Sequence, residues 1–308
     1  MTAERVPHHI FIDLSTACNA TCVMCPTQID SDRKKLMADA LFRKIASEAS
    51  VFSPQIDSFY FGVHGEPLID KRLEQKVALC SELGITRTIV STNGSLLDES
   101  RAVALLEAKP WVVIVSLESM SADVYEKIRV GLSHAQVVSN LKQLIRIRNE
   151  MQSPSRIAVR FITSEWNAAE KPEFVRYWTS LLDTTGRVDY VETDPIHNWG
   201  YGDPNAAYGN SPCPHIELMT ILSDGTVSAC CLDYKAIHNF GNVADQPLLE
   251  IFNGPVALEF RAVHLARRRN SLKMCNTCNI AEFWSDRASR TELERSTRFV
   301  ASEWIVNR

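Results

Sequence analysis

No apolar run in the 308 residues approaches the roughly 20 that a helix needs to cross a bilayer. The opening MTAERVPHH lacks the charged-then-apolar pattern of a secretory signal. Neither sign of charge dominates: 33 basic and 37 acidic side chains leave a net charge of -4. Nothing in that balance suggests a surface for nucleic acid or an acidic membrane. Internal repeats and low-complexity tracts are also missing. Together these absences lead us to expect a cytoplasmic protein with neither membrane nor nucleic acid as a partner.

What is present is an ordinary globular composition, 45% hydrophobic and 23% charged, with enough length for one large domain plus a small appendage. Nine cysteines stand out. Without a signal, metal binding is a better reading than a disulfide framework. Cys18, Cys22 and Cys25 open the chain. Cys213, Cys230, Cys231, Cys275 and Cys278 lie toward its other end. Cys80 falls between, in phase with Leu73 and Val77 on a helical face, and reads as core packing.

The first two-thirds alternates strands with amphipathic helices. Strand patterns run through HIFIDLS (9–15), SFYFGVHGEP (58–67), ITRTIVSTNG (85–94), WVVIVSLES (111–119), RIAVRFIT (156–163) and RVDYVETDP (187–195). Helical patterns include ALFRKIASEAS, LEQKVALCSEL and HAQVVSNLKQLIRIRNEM. Six β-then-α units imply an α/β fold with a parallel sheet, its chemistry at the carboxyl ends of the strands. Residues 198–214, rich in Gly, Pro, Asn and Tyr, read as a linker. IELMTILSDGTVSACC reads as a hairpin turning at Asp224-Gly225. PLLEIFNGPVALEFRAVHLARRR reads as helical, as does the final stretch from Asn279. The expected division is 1–200, 201–280 and a C-terminal helical extension over 281–308.

Three thiolates within CNATCVMC differ from four in one respect. Four saturate a zinc ion or a four-iron cluster, whereas three leave one iron open to a small molecule. A zinc completed by a distant ligand is the alternative. In its spacing, Cys-x3-Cys-x2-Cys, this loop resembles that of the radical S-adenosyl-L-methionine (SAM) superfamily. HGEP (64–67) resembles that superfamily's Gly-Gly-Glu-Pro motif, with His64 in place of the first glycine. STNG (91–94), VSLES (115–119) and YEKIR (125–129) are similar to its later strand ends. The resemblance implies a partial (β/α)6 TIM-like barrel and a SAM-binding 4Fe–4S cluster on Cys18, Cys22 and Cys25. It implies SAM contacts from Met24, Gly65, Glu66, Pro67, Ser91, Asn93, Ser116 and Arg129. It further implies a low-potential reductant of the flavodoxin or ferredoxin type.

Cys-x11-Gly-x4-Cys, from Cys213 through Gly225 to Cys230, resembles the opening of the SPASM and twitch auxiliary-cluster domains. The number of cysteines matches the twitch form, which implies a second 4Fe–4S cluster on Cys213, Cys230, Cys275 and Cys278. A structural zinc at the same four is the alternative. Adjacent strand residues point to opposite faces, so Cys230 and Cys231 should not both face the cluster. With Cys230 as ligand, Cys231 faces the barrel mouth. It would then serve as a hydrogen-atom donor. The reverse assignment, or a merely buried Cys231, stays open.

The chemistry implied is abstraction of hydrogen from a small polar substrate such as a sugar, aminoglycoside or aminocyclitol. Epimerisation with Cys231 as donor is the leading expectation. The alternatives are a twitch-type dehydrogenase with the auxiliary cluster as electron acceptor, a peptide-modifying enzyme, and a non-enzymatic iron–sulfur or zinc sensor. His197 and Asp233 are the candidate bases near the substrate. The first strand begins close to the start, which favours a small molecule over a peptide. Anaerobic reconstitution should load about eight irons per chain, about four for each cluster. Cys231→Ala should keep them all. Iron and sulfide analysis checks both statements.

Overall fold

A computed structural model describes residues 5–26, 35–206 and 208–281. The helical extension expected over 281–308 lies outside the described residues, apart from Ala281. Six parallel strands come first: β1 (His9–Ile12), β2 (Ser58–Phe61), β3 (Thr88–Thr92), β4 (Val112–Ser116), β5 (Arg156–Thr163) and β6 (Tyr190–Pro195). Each pairs with the next in chain order. The crossovers carry α1 (Asp39–Ser50), α2 (Leu73–Glu82), α3 (Glu99–Glu107), α4 (Ala122–Ile128), α5 (His134–Glu150) and α6 (Lys171–Leu181). All six expected strands are present. No helix among the described residues is long and apolar enough to cross a membrane.

A period of two sorts the side chains. Ile10, Ile12, Phe59, Phe61, Val90, Val113, Val115, Val159, Phe161 and Val191 point outward into the main core beneath the helices, where Cys80 also packs. The opposite face is apolar low down, at Tyr60, Ile89, Val112, Ile114, Ala158 and Tyr190. Toward the carboxyl ends it turns polar, with Ser91, Ser116, Arg160, Glu192 and Asp194 all at one cavity.

The expected hairpin is β7 (Leu218–Ile221) and β8 (Thr226–Ser228), with a third strand, β9 (Asn239–Asn242). It does not stand apart. β7 pairs in parallel with β1, so one nine-stranded sheet runs β6-β5-β4-β3-β2-β1-β7-β8-β9. The boundary expected at residue 200 is therefore a change in sequence character with no break in the sheet. The single helical segment expected after β9 is two helices, α7 (Leu248–Phe252) and α8 (Pro255–Leu265). Pro255 has no N–H to continue α7 but suits the start of α8.

One buried ion pair locks α5 to β5 and to the segment that enters β6. Arg148, fully buried, donates from Nη1 and Nη2 to the two carboxylate oxygens of Asp189 at 2.8 and 2.6 Å. The same carboxylate accepts from the backbone N–H of Ile157 and of Asp183. Removing one partner strands a charge in the interior. Asp189→Ala should therefore cost about 3–5 kcal/mol, measured by urea unfolding.

Candidate active site

The loop carrying the first three cysteines leaves the end of β1 and is held on three sides. Thr21 and Val23 donate backbone hydrogen bonds to Val130 and Ile128 at 2.9 and 3.0 Å. Trp199 Nε1 donates to the Met24 carbonyl at 2.7 Å. Asn93 Nδ2 donates to Asn19 Oδ1, and Asn19 Nδ2 to Ser95 Oγ. Cys18, Met24, Cys22 and Cys25 line a cavity of about 390 Å³ at the carboxyl rim. Burial pushes the Cys18 thiol up to about 11 and raises Cys22 as well. Such thiols become thiolates at neutral pH only beside a strong cationic centre such as bound iron.

Gly65, Glu66, Ser91, Asn93, Ser116, Arg129, His197 and Cys231 line the same cavity. A side chain at position 65 would lie 2.1 Å from the Ser15 carbonyl, so only glycine lets the two segments approach. Glu66 is buried and committed to the fold. Its carboxylate accepts from the N–H of Leu68 and Asn93 and from Thr92 Oγ1, and burial raises its pKa. Arg129 grips the buried Glu118 with Nε and Nη2 and sends Nη1 to within 3.5 Å of Cys22 Sγ.

Two expected residues stand elsewhere. Pro67 is buried in a 3₁₀ turn, Pro67–Ile69, outside the cavity lining. Asp233 is buried too, and its carboxylate caps a loop by accepting from the N–H of Ile237 and His238. It is therefore not placed as a base toward the cavity. His197 is at the wall, edge-on to Trp199 at 4.5 Å. Its buried Nδ1 has no partner among the described residues, and burial lowers its pKa to about 4.

Sequence reading missed several contributors. Arg160 of β5 donates to Glu192 of β6 at 2.8 Å and to Ser91 Oγ at 3.1 Å. Polar residues at alternate positions of otherwise apolar strands were the available signal. Segment 198–214, read as a linker, supplies Trp199 to the cluster loop and ties Asn198 to the Thr277 carbonyl.

His64 joins the two cysteine regions. Its Nδ1 lies 2.5 Å from Asp13 Oδ2, and its Nε2 lies 2.7 Å from the Cys231 carbonyl oxygen. A carbonyl only accepts, so Nε2 carries a proton. Burial pulls the imidazole toward neutrality. The Asp13 carboxylate and the carbonyl outweigh it and hold the pKa above the usual histidine value.

Beyond the hairpin, Cys213, Cys230, Cys275 and Cys278 gather away from that cavity, around Ile216, Ala229 and Phe260. Cys230 is not among the cavity residues, whereas Cys231 is. Burial raises every one of the Cys213, Cys230 and Cys275 thiols. Two buried donors, Arg269 Nη2 and His264 Nε2, lack acceptors among the described residues. The donor chemistry thus suits an anionic, thiolate-bound group. Among the described residues, no three Cys, His, Asp or Glu side chains close to the spacing of a single metal ion.

Family comparison agrees with this layout. The model described as Radical SAM superfamily matches residues 12–151, and the SPASM model, an iron–sulfur cluster-binding domain, matches residues 213–279. The chain carries a radical SAM domain followed by a SPASM domain. These domains imply SAM, a 4Fe–4S cluster and auxiliary iron–sulfur.

Among known proteins, the chain is 24% identical over 278 residues to the S-adenosyl-L-methionine-dependent 2-deoxy-scyllo-inosamine dehydrogenase of Niallia circulans. That match covers 88% of this chain and 92% of the relative. It is 30% identical over 176 residues to the tungsten-containing aldehyde ferredoxin oxidoreductase cofactor-modifying protein of Pyrococcus furiosus. There the match covers 56% of this chain and only 48% of the relative. Its fold is shared with BtrN in complex with AdoMet and 2-DOIA, at a TM-score of 0.60 and 20% identity over 90% of this chain and 94% of that one. It is shared also with native anSMEcpe bearing AdoMet, at a TM-score of 0.63 and 16% identity over 83% of each.

The His64 bridge predicts a pH signature. A histidine whose pKa is raised on folding contributes fully below its unfolded value of about 6.5 and loses that contribution as pH rises through the folded value. The Tm gap between wild type and His64→Ala should therefore be widest at about pH 6 and shrink toward alkaline pH. Thermal unfolding across that range checks it.

Proposed function

We propose that this protein oxidises an alcohol carbon of a small amino- or hydroxyl-bearing ring, of the aminocyclitol or amino-sugar class, to a carbonyl. The observation that carries this reading is the place of two consecutive thiols, Cys230 and Cys231, in the turn after β8, between the two cysteine sets. One faces the second cysteine set and the other lines the cavity that holds the first. An electron leaving a substrate in that cavity thus has a route one residue long to the auxiliary site. The assigned ligands are Cys18, Cys22 and Cys25 for the SAM-binding cluster, and Cys213, Cys230, Cys275 and Cys278 for the auxiliary one.

When bound, SAM and its cluster supply a carbon-centred radical, and the auxiliary cluster supplies an electron acceptor. The residues of the chain do the rest. Arg160, Glu192 and Asp194 offer charged and hydrogen-bonding groups to hydroxyls and amines. His197, held neutral by burial, presents a lone pair for the proton. The balance closes: the alcohol loses one hydrogen atom to the radical, one electron to the auxiliary site and one proton to the base. The near full-length similarity to an inosamine dehydrogenase supports oxidation over the epimerisation that the sequence had favoured. A flavodoxin- or ferredoxin-type protein would deliver the first electron.

Epimerisation keeps one specific support. The Cys231 thiol lines the cavity, and burial holds it protonated by pushing its pKa up to about 12. Turnover of an aminocyclitol in D2O separates the two. Oxidation should give a product lighter by two hydrogens with no deuteron on the reacting carbon, and Cys231→Ala should keep most of that activity. One deuteron on that carbon, lost with Cys231→Ala, would establish the epimerase instead. Turnover of a peptide alone would overturn the small-molecule assignment.

A further inference from the structure

Arg269 is one of two buried arginines, with Arg261, that form no ion pair among the described residues. It is only 2% exposed, and no carboxylate pairs with it among the described residues. Arg148, fully buried, and Arg129 and Arg160, partly exposed at the cavity, each grip an acid. Arg269 instead donates to carbonyls: Nε to Gly209 at 2.6 Å, and Nη1 to Cys275 and Cys278 at 2.8 and 3.1 Å. Its Nη2 is buried with no acceptor among the described residues. Arg261, as buried as Arg269, also donates to carbonyls, those of Ile216 and Phe252, but it lies over the Phe252 ring at 3.9 Å and in the field of Glu217. A buried charge without a counterion is costly to hold out of water. The protein places that cost where four cysteines meet.

We propose that Arg269, clamped to both carbonyls of the Cys275–Cys278 knuckle, is the countercharge of the auxiliary cluster and sets its reduction potential. An oxidised four-iron core is dipositive and four thiolates bring four negative charges, so the ensemble is a dianion. A buried guanidinium beside it supplies the missing opposite charge. One-electron reduction makes the ensemble more negative still, and a fixed positive charge favours that form. Arg269 therefore raises the potential and equips the cluster to take an electron from a substrate radical. His264 borders the same set, accepting the Cys213 N–H at Nδ1, and its Nε2 has no partner among the described residues. Arg269 acts through the cluster it borders and is a positioning and tuning residue.

The inference rests on the auxiliary ligand set proposed above and is independent of the substrate and of the reaction outcome. The test uses the full chain with Cys18, Cys22 and Cys25 replaced by alanine, so that only the auxiliary cluster contributes. Iron content and an EPR-monitored reductive titration are compared for this background and for the same chain with Arg269→Gln or Arg269→Lys.

The expected result is unchanged iron, with the reduced-to-oxidised ratio at fixed poise lowered about tenfold in Arg269→Gln, equivalent to about 59 mV for one electron. Arg269→Lys should stay near the background value. If Arg269→Gln loses its iron while Arg269→Lys keeps it, the charge is needed for assembly and the countercharge role stands. Unchanged potential in an iron-replete Arg269→Gln protein overturns the proposal. Loss of iron from both variants overturns it in favour of a carbonyl clamp. Zinc in place of iron in the background protein overturns the ligand-set assignment along with it, and that failure is visible before any Arg269 variant is made.

Discussion

Everything in this molecule depends on strands that run the same way. When six strands are parallel and paired in chain order, all six carboxyl ends fall on one rim, and every loop leaving that rim can reach the same space. The alternation of side chains then fixes what faces inward. Arg160 and Glu192 meet because each occupies an inward register position on adjacent strands. β7 extends the rule. Its parallel pairing with β1 brings the hairpin, and with it Cys231, to the rim that carries the first three cysteines.

The rim is held together by buried charge. Asp13 with His64, Glu118 with Arg129, and Glu192 with Arg160 each take a charged pair out of water and orient it by hydrogen bonds. Pairs of this kind add little net stability compared with apolar packing, but they penalise any other arrangement severely. That suits a site whose thiols must stand ready for iron. Arg129 shows the coupling directly, since one guanidinium grips Glu118 and reaches the sulfur of Cys22.

The two halves of the chemistry are joined by single residues. His64 connects the end of β1 to the backbone of Cys231. Trp199 connects the segment after β6 to the cluster loop, and Asn198 connects that segment to the knuckle that ends in Cys278. What looks like a connector in composition therefore supplies Trp199 and Pro214 to the cavity wall and ties the cluster loop to the knuckle.

Local pattern alone was enough for the six strands, their parallel order, the rim as the seat of chemistry and the two cysteine sets, because periodicity and ligand spacing are written in adjacent residues. Strand geometry did not decide the facing of Cys230 and Cys231: β8 ends at Ser228, and both cysteines stand in the bend and turn that follow. Four things required the assembled chain. Asp233 turned from the cavity because backbone N–H groups claimed its carboxylate. The hairpin merged with the barrel because β1 had an open edge to pair. His64 became a bridge because Asp13, 51 positions away, and Cys231, 167 positions away, closed on it. Arg269 closed on the backbone carbonyls of Gly209, and of Cys275 and Cys278 in the second cysteine set. Each depends on partners distant in sequence, and pairing across such distances is decided by packing, on which local pattern is silent.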